Sequence, residues 1–327
     1  MSAPRVLLVG LGRWGEKHLR VLGELGAEVW AADVSAARRE AAVRAGVDPA
    51  RVVADHRTAV PHVDAVDVVT PADNHLALVS ECLRAGKPCF VEKPLAMTAA
   101  EGRALAGVVA ETRGVLQVGH IFRFHPVTDA LRERLAGGAL GPVRYCTGRF
   151  AGFKRPRTDV GVTQTDAIHY VDLFAHLLGR PATAVTATLR DHLGRGLDDL
   201  SFCAVEYGDI RAFVEAGYFA PGTQRDCVIV GERATLAADF GSSEVRLFDN
   251  RHVQDANGWQ AVEGAVEVIK ATGPEPLRRE LELFLAAAAG QGPVPVDVHA
   301  GLDALCVVEA AQRSSARGRR VEIGELG

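Results

Sequence analysis

Asp166, His169 and Asp172 stand three residues apart within Thr163–Gly179, and His176 follows four residues later. On a helix this spacing gathers two carboxylates and two imidazoles onto one face. Four uses suit such a stripe. A metal site would find enough ligands here, but it also needs orienting partners behind them, and nothing else in the sequence asks for a metal. A serine nucleophile with its relay needs a sharp elbow, and no Gly-x-Ser-x-Gly occurs in the chain. A purely structural helix would end in the same way, at Gly179 and Pro181. The fourth use is proton transfer. Oxidising a secondary alcohol requires a group that takes the hydroxyl proton as hydride leaves, and histidine titrates near neutrality.

A second chemical signal is Glu92-Lys93-Pro94. Lys93 follows the apolar run Cys89–Val91 and precedes a proline that biases its backbone to an extended form and stops the strand. An ammonium held there could stabilise an alkoxide or polarise a carbonyl beside a nicotinamide. A surface lysine at a strand end would read the same way.

The third signal is Gly10-Leu-Gly-Arg-Trp-Gly15, directly after the apolar run Arg5–Val9 and before a helical pattern through Leu19, Val21, Leu22 and Leu25. Strand, Gly-x-Gly-x-x-Gly, then helix is the context of a dinucleotide site. Gly10 permits the tight turn, Gly12 the approach of a pyrophosphate, and Gly15 close packing of helix on strand. The helix N-terminus offers N–H groups to the phosphates. Asp33 closes the next apolar run, Ala27–Ala32. A carboxylate there accepts from a ribose 2′-OH and repels a 2′-phosphate, which favours NAD; Arg38 and Arg39 nearby weaken that preference.

The elements that must position these residues fall into two patterns. Apolar runs at 52–53, 65–69 and 88–91 alternate with helical patterns at 36–45 and 75–85, the signature of a parallel sheet covered on both faces. Thr70-Pro71, Asn74-His75 and Glu92-Lys93-Pro94 then fall at strand ends, where such sheets bind ligands. Beyond Arg123, runs at 142–150, 182–189, 200–207 and 210–216 alternate or carry β-branched residues. Gly208-Asp209 and Glu232-Arg233 read as tight turns, the latter between 227–231 and 234–239. Helical patterns at 276–289 and 301–313 follow. The expectation is an α/β N-terminal Rossmann domain over 1–122 and an α+β C-terminal domain over 123–327 with a large open, mostly antiparallel sheet.

Composition bounds the rest. A chain of 327 residues is long enough for about two domains. Lys plus Arg number 37 against 41 Asp plus Glu, a net charge of −4 that speaks against a nucleic-acid partner. No run approaches the length of a membrane helix, and the opening Met1–Gly10 lacks a secretion signal. The six cysteines show no metal or redox spacing, as expected of free thiols in the cytoplasm. Phe153-Lys-Arg-Pro-Arg-Thr158 brings Lys154, Arg155 and Arg157 together. This is either a solvated basic turn or a grip for a phosphate or carboxylate, and the second use tilts the substrate toward a sugar nucleotide or acidic sugar over a neutral sugar or inositol.

The glycine turn, Thr70-Pro71 with Asn74-His75, Glu92-Lys93-Pro94, Gly119–Pro126 and Thr163–Gly179 together resemble the glucose–fructose oxidoreductase/inositol dehydrogenase/MocA family over nearly the full length. The resemblance implies an oxidoreductase that converts a secondary hydroxyl of a sugar, sugar nucleotide or cyclitol to a ketone, or the reverse. It implies an open sheet whose outer face joins subunits into a homodimer or homotetramer. It assigns NAD to Gly10, Gly12, Arg13, Trp14, Gly15, Asp33, Thr70, Pro71, His75, Glu92 and Lys93. Substrate falls to Arg123, Lys154, Arg155, Arg157, Thr165, Asp166 and His169. His169 lies ten residues before Gly179, the position of the family's usual acid/base, working with Lys93. Many relatives carry aspartate four residues before that histidine, where this chain has Thr165, with Asp166 one step later. Asp172 is the expected ring-orienting partner. The rival readings are a non-catalytic NAD-binding regulator and a hydrolase or epimerase that recycles bound NAD.

Overall fold

The computed structural model describes residues 3–326. The chain folds as two compact units: the first runs to Ile121 and takes back Glu275–Leu305, and the second holds Phe122–Pro274 and the chain from Cys306 onward.

In the first unit β1 (Arg5–Val9), α1 (Gly15–Glu24), β2 (Glu28–Ala32), α2 (Ala36–Arg44), β3 (Val52–Val53), β4 (Ala65–Val68), α3 (His75–Arg84), β5 (Cys89–Glu92), α4 (Ala99–Thr112) and β6 (Leu116–Gly119) alternate. The strands form one sheet in the order β3-β2-β1-β4-β5-β6, every pair parallel. Helices between parallel strands cover both faces, so β4, β5 and β6 are buried at every position. That burial makes Asp67, Glu92 and Gln117 conspicuous, since each is a polar side chain inside the sheet. The strand order reverses between β1 and β4, where a Rossmann sheet opens its crevice. Gly10 and Thr70 leave those two strands.

A single cut at 122/123 leaves out the returning segment Glu275–Leu305, which holds one whole helix and the start of the next. The helix Pro276–Ala288 buries Leu277, Leu281 and Phe284 in the same core as Val6, Leu8 and Phe90. Phe284 meets Phe90 edge-on, with ring centroids 5.7 Å apart.

The second unit begins with α5 (Pro126–Ala136) and β7 (Val143–Gly152). Thr163–Ala167 then form one π-helical turn that runs into α6 (Ile168–Leu178). Next come β8 (Ala184–Arg190), β9 (Leu200–Tyr207), β10 (Ile210–Gly217), β11 (Thr223–Gly231), β12 (Thr235–Asp239) and β13 (Glu244–Phe248). A small ribbon, β14 (Arg251–Asp255) with β15 (Gly258–Val262), precedes β16 (Val266–Lys270). The helix Pro276–Ala288 is α7; α8 (Val298–Arg317) and β17 (Val321–Glu322) end the fold. Nine strands make one sheet, β16-β13-β12-β11-β7-β10-β9-β8-β17. Only β7 and β10 pair in parallel. The two tight turns read from the sequence join β9 to β10 and β11 to β12.

One face of this sheet carries α6. Tyr170 fills the space over Gly148 of β7, where even a methyl group would come within 2.7 Å of the ring. The Tyr207 hydroxyl donates to the Val171 carbonyl at 2.8 Å, tying α6 to β9. Gly179, at φ +64°, ends the helix in the left-handed region. Among the described residues no helix is long and apolar enough to cross a membrane.

Candidate active site

The glycine turn has the geometry its sequence implied. Gly10 sits at φ +100°, and a Cβ there would lie 2.5 Å from the Val69 carbonyl oxygen, while one on Gly15 would lie 2.0 Å from the Gly10 carbonyl. A side chain at either position would push α1 off the sheet. Over Gly12 the nearest atoms are the Arg38 guanidinium, 4.0 Å from an added Cβ, so the backbone there is open to an incoming group. Asp33, buried at the end of β2, accepts from the Leu11 N–H at 2.8 Å through Oδ2 and from the Ser35 N–H at 2.8 Å through Oδ1. Of the two arginines, Arg39 donates to the Asp33 and Val34 carbonyls, whereas Arg38 lies 3.3 Å from Asp33 Oδ2 and stays half exposed.

At the neighbouring strand ends, His75 spans two loops, with Nδ1 3.0 Å from the Pro94 carbonyl and Nε2 3.0 Å from the Thr70 carbonyl. Burial pulls the His75 pKa down, against the carbonyls that favour its charged form. Buried Thr70 Oγ1 has no hydrogen-bond partner among the described residues, an opening for a bound polar group. Lys93 follows β5, its backbone N–H donating to Glu92 Oε2 at 3.1 Å, and the Lys93–Pro94 peptide is cis. Glu92 Oε1 accepts the Trp14 indole N–H at 2.6 Å. The open Gly12 backbone, the Asp33 carboxylate and Thr70 Oγ1 are what a dinucleotide requires of these positions, and they fit it.

The second unit builds its own cluster around His169. The imidazole lies between two aromatic rings, with centroids 4.9 Å from Phe122 and 5.0 Å from Phe150, both nearly parallel. The ring is buried, and such stacking fixes its plane. One turn earlier, Asp166 pairs with Lys154 at 2.6 Å. Thr165 Oγ1 lies 3.2 Å from the Gly161 carbonyl and 3.3 Å from the Tyr218 hydroxyl. Lys154 Nζ sits 4.9 Å from the Phe150 ring centroid, and the Arg225 guanidinium 3.4 Å from the same centroid. Burial lowers the Arg225 pKa, opposed by Asp166.

Two expectations change here. Arg123 and Asp172, read as separate substrate and proton-relay residues, are each other's partners. Three bonds of 2.6–3.1 Å form a fork between them, and Asp172 is buried. The basic turn is also less free than it looked. Lys154 faces Asp166, Arg157 pairs with Asp159, and Arg155 lies exposed. His176 sits in the last turn of α6, and its pKa falls to about 4 through burial and then the nearby Arg123 and Arg132. No group of His, Cys, Asp or Glu fit for a metal occurs among the described residues.

The sequence reading passed over several residues of these clusters. Tyr218 and Arg225 carry no local signal, because only strand pairing brings them to Thr165 and Phe150. His18 and Asp67 did carry one: Asp67 interrupts the apolar run 65–69, and His18 lies three residues beyond Gly15.

A parallel sheet of this order, with its glycine turn and strand-end carboxylate, joined to an α+β unit, defines a dinucleotide-binding oxidoreductase. Comparison with known proteins gives the family. Residues 4–120 match the oxidoreductase family with an NAD-binding Rossmann fold, and residues 132–323 match its C-terminal alpha/beta domain. The chain belongs to the glucose–fructose oxidoreductase/inositol dehydrogenase/MocA family and is an NAD-binding oxidoreductase. It is 29% identical to an inositol 2-dehydrogenase of Rhizobium meliloti, over 97% of this chain and 98% of the relative. A UDP-N-acetylglucosamine 3-dehydrogenase of Acidithiobacillus ferrooxidans is 32% identical over 91% of this chain and 92% of its own length. A crystal structure of the UDP-N-acetylglucosamine 3-dehydrogenase from that organism superposes with a TM-score of 0.84, at 25% identity, covering 97% of this chain and 99% of the other.

Proposed function

We propose that this chain is an NAD-dependent dehydrogenase that oxidises a secondary hydroxyl of a cyclitol, sugar or sugar nucleotide to a ketone, or catalyses the reverse reduction. The observation that carries the reading is His169, an imidazole buried and held flat between Phe122 and Phe150 beside the Lys154–Asp166 pair. Bound NAD supplies the hydride acceptor. Gly10, Gly12, Arg13, Trp14 and Gly15 hold its pyrophosphate, Asp33 its ribose hydroxyls, and Thr70, Pro71, His75 and Glu92 the strand-end side. The Lys93 ammonium stabilises the alkoxide that develops as the hydroxyl proton leaves, and neutral His169 accepts that proton. Thr165, Asp166 and Lys154 hold substrate hydroxyls.

Within the substrate class, a neutral polyol is favoured. Lys154 and Arg157 are each balanced by a carboxylate of their own chain, which leaves less charge for an anionic group than the sequence suggested. The relative named inositol 2-dehydrogenase supports the same choice. We further propose a cytoplasmic homo-oligomer joined through the outer face of the nine-stranded sheet, consistent with six buried free cysteines. The test is a panel of inositols, free sugars and sugar nucleotides with NAD, read by nicotinamide absorbance. Turnover on an inositol is the expected result. Tight NAD binding without turnover across the panel would support the regulator reading, and co-purifying NAD without net reduction the hydrolase or epimerase.

A further inference from the structure

A buried charged cluster lies inside the first unit, behind Glu92. His18, on α1, is fully enclosed; its Nδ1 is 2.8 Å from Asp67 Oδ2 and its Nε2 is 3.3 Å from Glu92 Oε1. Both carboxylates are themselves buried in β4 and β5. Nδ1 makes a hydrogen bond, and Nε2 an ion-pair contact without hydrogen-bond geometry. An ionised carboxylate only accepts, so a neutral imidazole presents its one N–H to one of them, while an imidazolium presents one to each. Burial raises the Asp67 pKa against the pull of His18, but imidazole is the stronger base and has two carboxylates facing it, so the shared proton rests on the ring. Two buried carboxylates with no cation between them would repel each other at great cost. Burial opposes a charge on His18, but Asp67 and Glu92 outweigh it and push its pKa up to about 10. Burial opposes the Glu92 charge too, here by acting to raise its pKa, yet His18, Lys93 and Trp14 hold that pKa below the ordinary value.

Glu92 distributes this anchoring in two directions. Oε1 accepts the indole N–H of Trp14, inside the glycine turn, and Oε2 accepts the backbone N–H of Lys93. Besides His18, the titratable groups that feel Glu92 are Asp67, Lys93 and His75.

We infer that His18 is a positioning residue of this oxidoreductase: as a buried imidazolium it fixes the Glu92 carboxylate, which orients Trp14 in the dinucleotide turn and sets the backbone of Lys93. The consequence for turnover rests on the reading of Lys93 given above; the consequence for NAD binding does not. His18→Gln keeps a donor toward Glu92 and cannot carry charge. It should lower kcat roughly tenfold or more, since small misplacements of a reacting group are costly, and weaken NAD binding measured by calorimetry. Without the imidazolium, burial lifts the Glu92 pKa, so Glu92 takes a proton as pH falls. The variant should therefore lose kcat and NAD affinity at a higher pH than the parent, and adding Glu92→Gln should remove that upward shift, leaving for kcat only the limb assigned to His169. A lower melting temperature with parental kcat, NAD affinity and pH profile would overturn the inference in favour of packing alone. Should His18→Gln not fold, nitrogen NMR of the parent chain decides. At about pH 8, where an ordinary histidine is neutral, both His18 ring nitrogens should be protonated, and a singly protonated ring would sink the idea. If Lys93→Ala retains turnover, the Lys93 role fails while the NMR and NAD-binding results still decide His18.

Discussion

At the scale of single residues, the two histidines of α6 separate cleanly. His176 is already neutral throughout the usual assay range, because burial and Arg123 hold its pKa near 4. It has no proton to lose near neutrality, so an acid limb there belongs to another group. With His169 as the base, oxidation falls as acid protonates the ring. His169→Ala should cost roughly a hundredfold in kcat and flatten the limb, while His176→Ala keeps both rate and limb. The reverse pattern would show that Asp172 and His176 form the true pair. Lys93→Ala should likewise cost about a hundredfold in kcat with NAD affinity nearly kept, because its charge acts mainly on the developing alkoxide; near-parental turnover would return Lys93 to a surface role. Asp33 needs a gentler change than removal, since its carboxylate also accepts the Leu11 N–H. Asp33→Asn keeps that acceptor and removes the charge that repels a 2′-phosphate. The preference for NAD over NADP in kcat/KM should narrow about tenfold, near 1.4 kcal/mol, with Arg38 free to turn toward the phosphate. A parent that already prefers NADP would contradict this.

At the scale of elements, most strands and helices were legible because burial imposes a period, and residues such as Leu8 or Val205 follow it. The π-turn was not legible. Thr163–Gly179 reads as one helix, but its first five residues, Thr163–Ala167, wind more widely, and such turns recur at functional sites. A wider turn changes the angle per residue, which bears on the displaced carboxylate: Asp166 reaches Lys154 while Thr165 faces Tyr218. The edge strand β16 was missed because Val266 and Val268 point outward and its alternation carries no buried face, and its neighbour β13 because Val245 alone of its five residues is buried. The Arg123–Asp172 fork was also invisible, as it joins residues 49 apart. That fork makes a stability prediction. Asp172 is almost wholly buried and the Arg123 side chain is 14% exposed, so Arg123→Ala withdraws the charge compensating a buried carboxylate. Denaturant unfolding should show a loss of about 3–5 kcal/mol, partly recovered in Arg123→Ala/Asp172→Ala. A loss of less than about 1 kcal/mol would make the fork a surface-like pair.

At the scale of the whole molecule, the nine-stranded sheet has two unlike faces, and strand register decides which residues share each. Phe213 pairs with Thr147 of β7 and Ala204 of β9, and its neighbours Arg211 and Glu215 pair with Tyr145 and Phe202. These positions alternate with Ala212, Val214 and Ala216, which are buried. The outward face therefore carries Tyr145, Phe202 and Phe213 at 41%, 48% and 49% exposure, with Val266 and Val268 on the edge strand β16 also exposed. A monomer gains nothing by keeping several large apolar side chains on one sheet face in water, whereas a second copy laid against it would bury them. Arg211 and Glu206 pair on the same face, a polar element that a self-complementary contact can include without leaving charge uncompensated. Phe213→Glu sets a carboxylate at the centre of this face and, across a two-fold, brings two of them together. Sedimentation should show the parent as a dimer or tetramer and Phe213→Glu as a smaller species at the same concentration. The melting curve should stay cooperative, because Phe213 lies outside the core. An unchanged sedimentation coefficient, or a monomeric parent, would place the subunit contact elsewhere or nowhere.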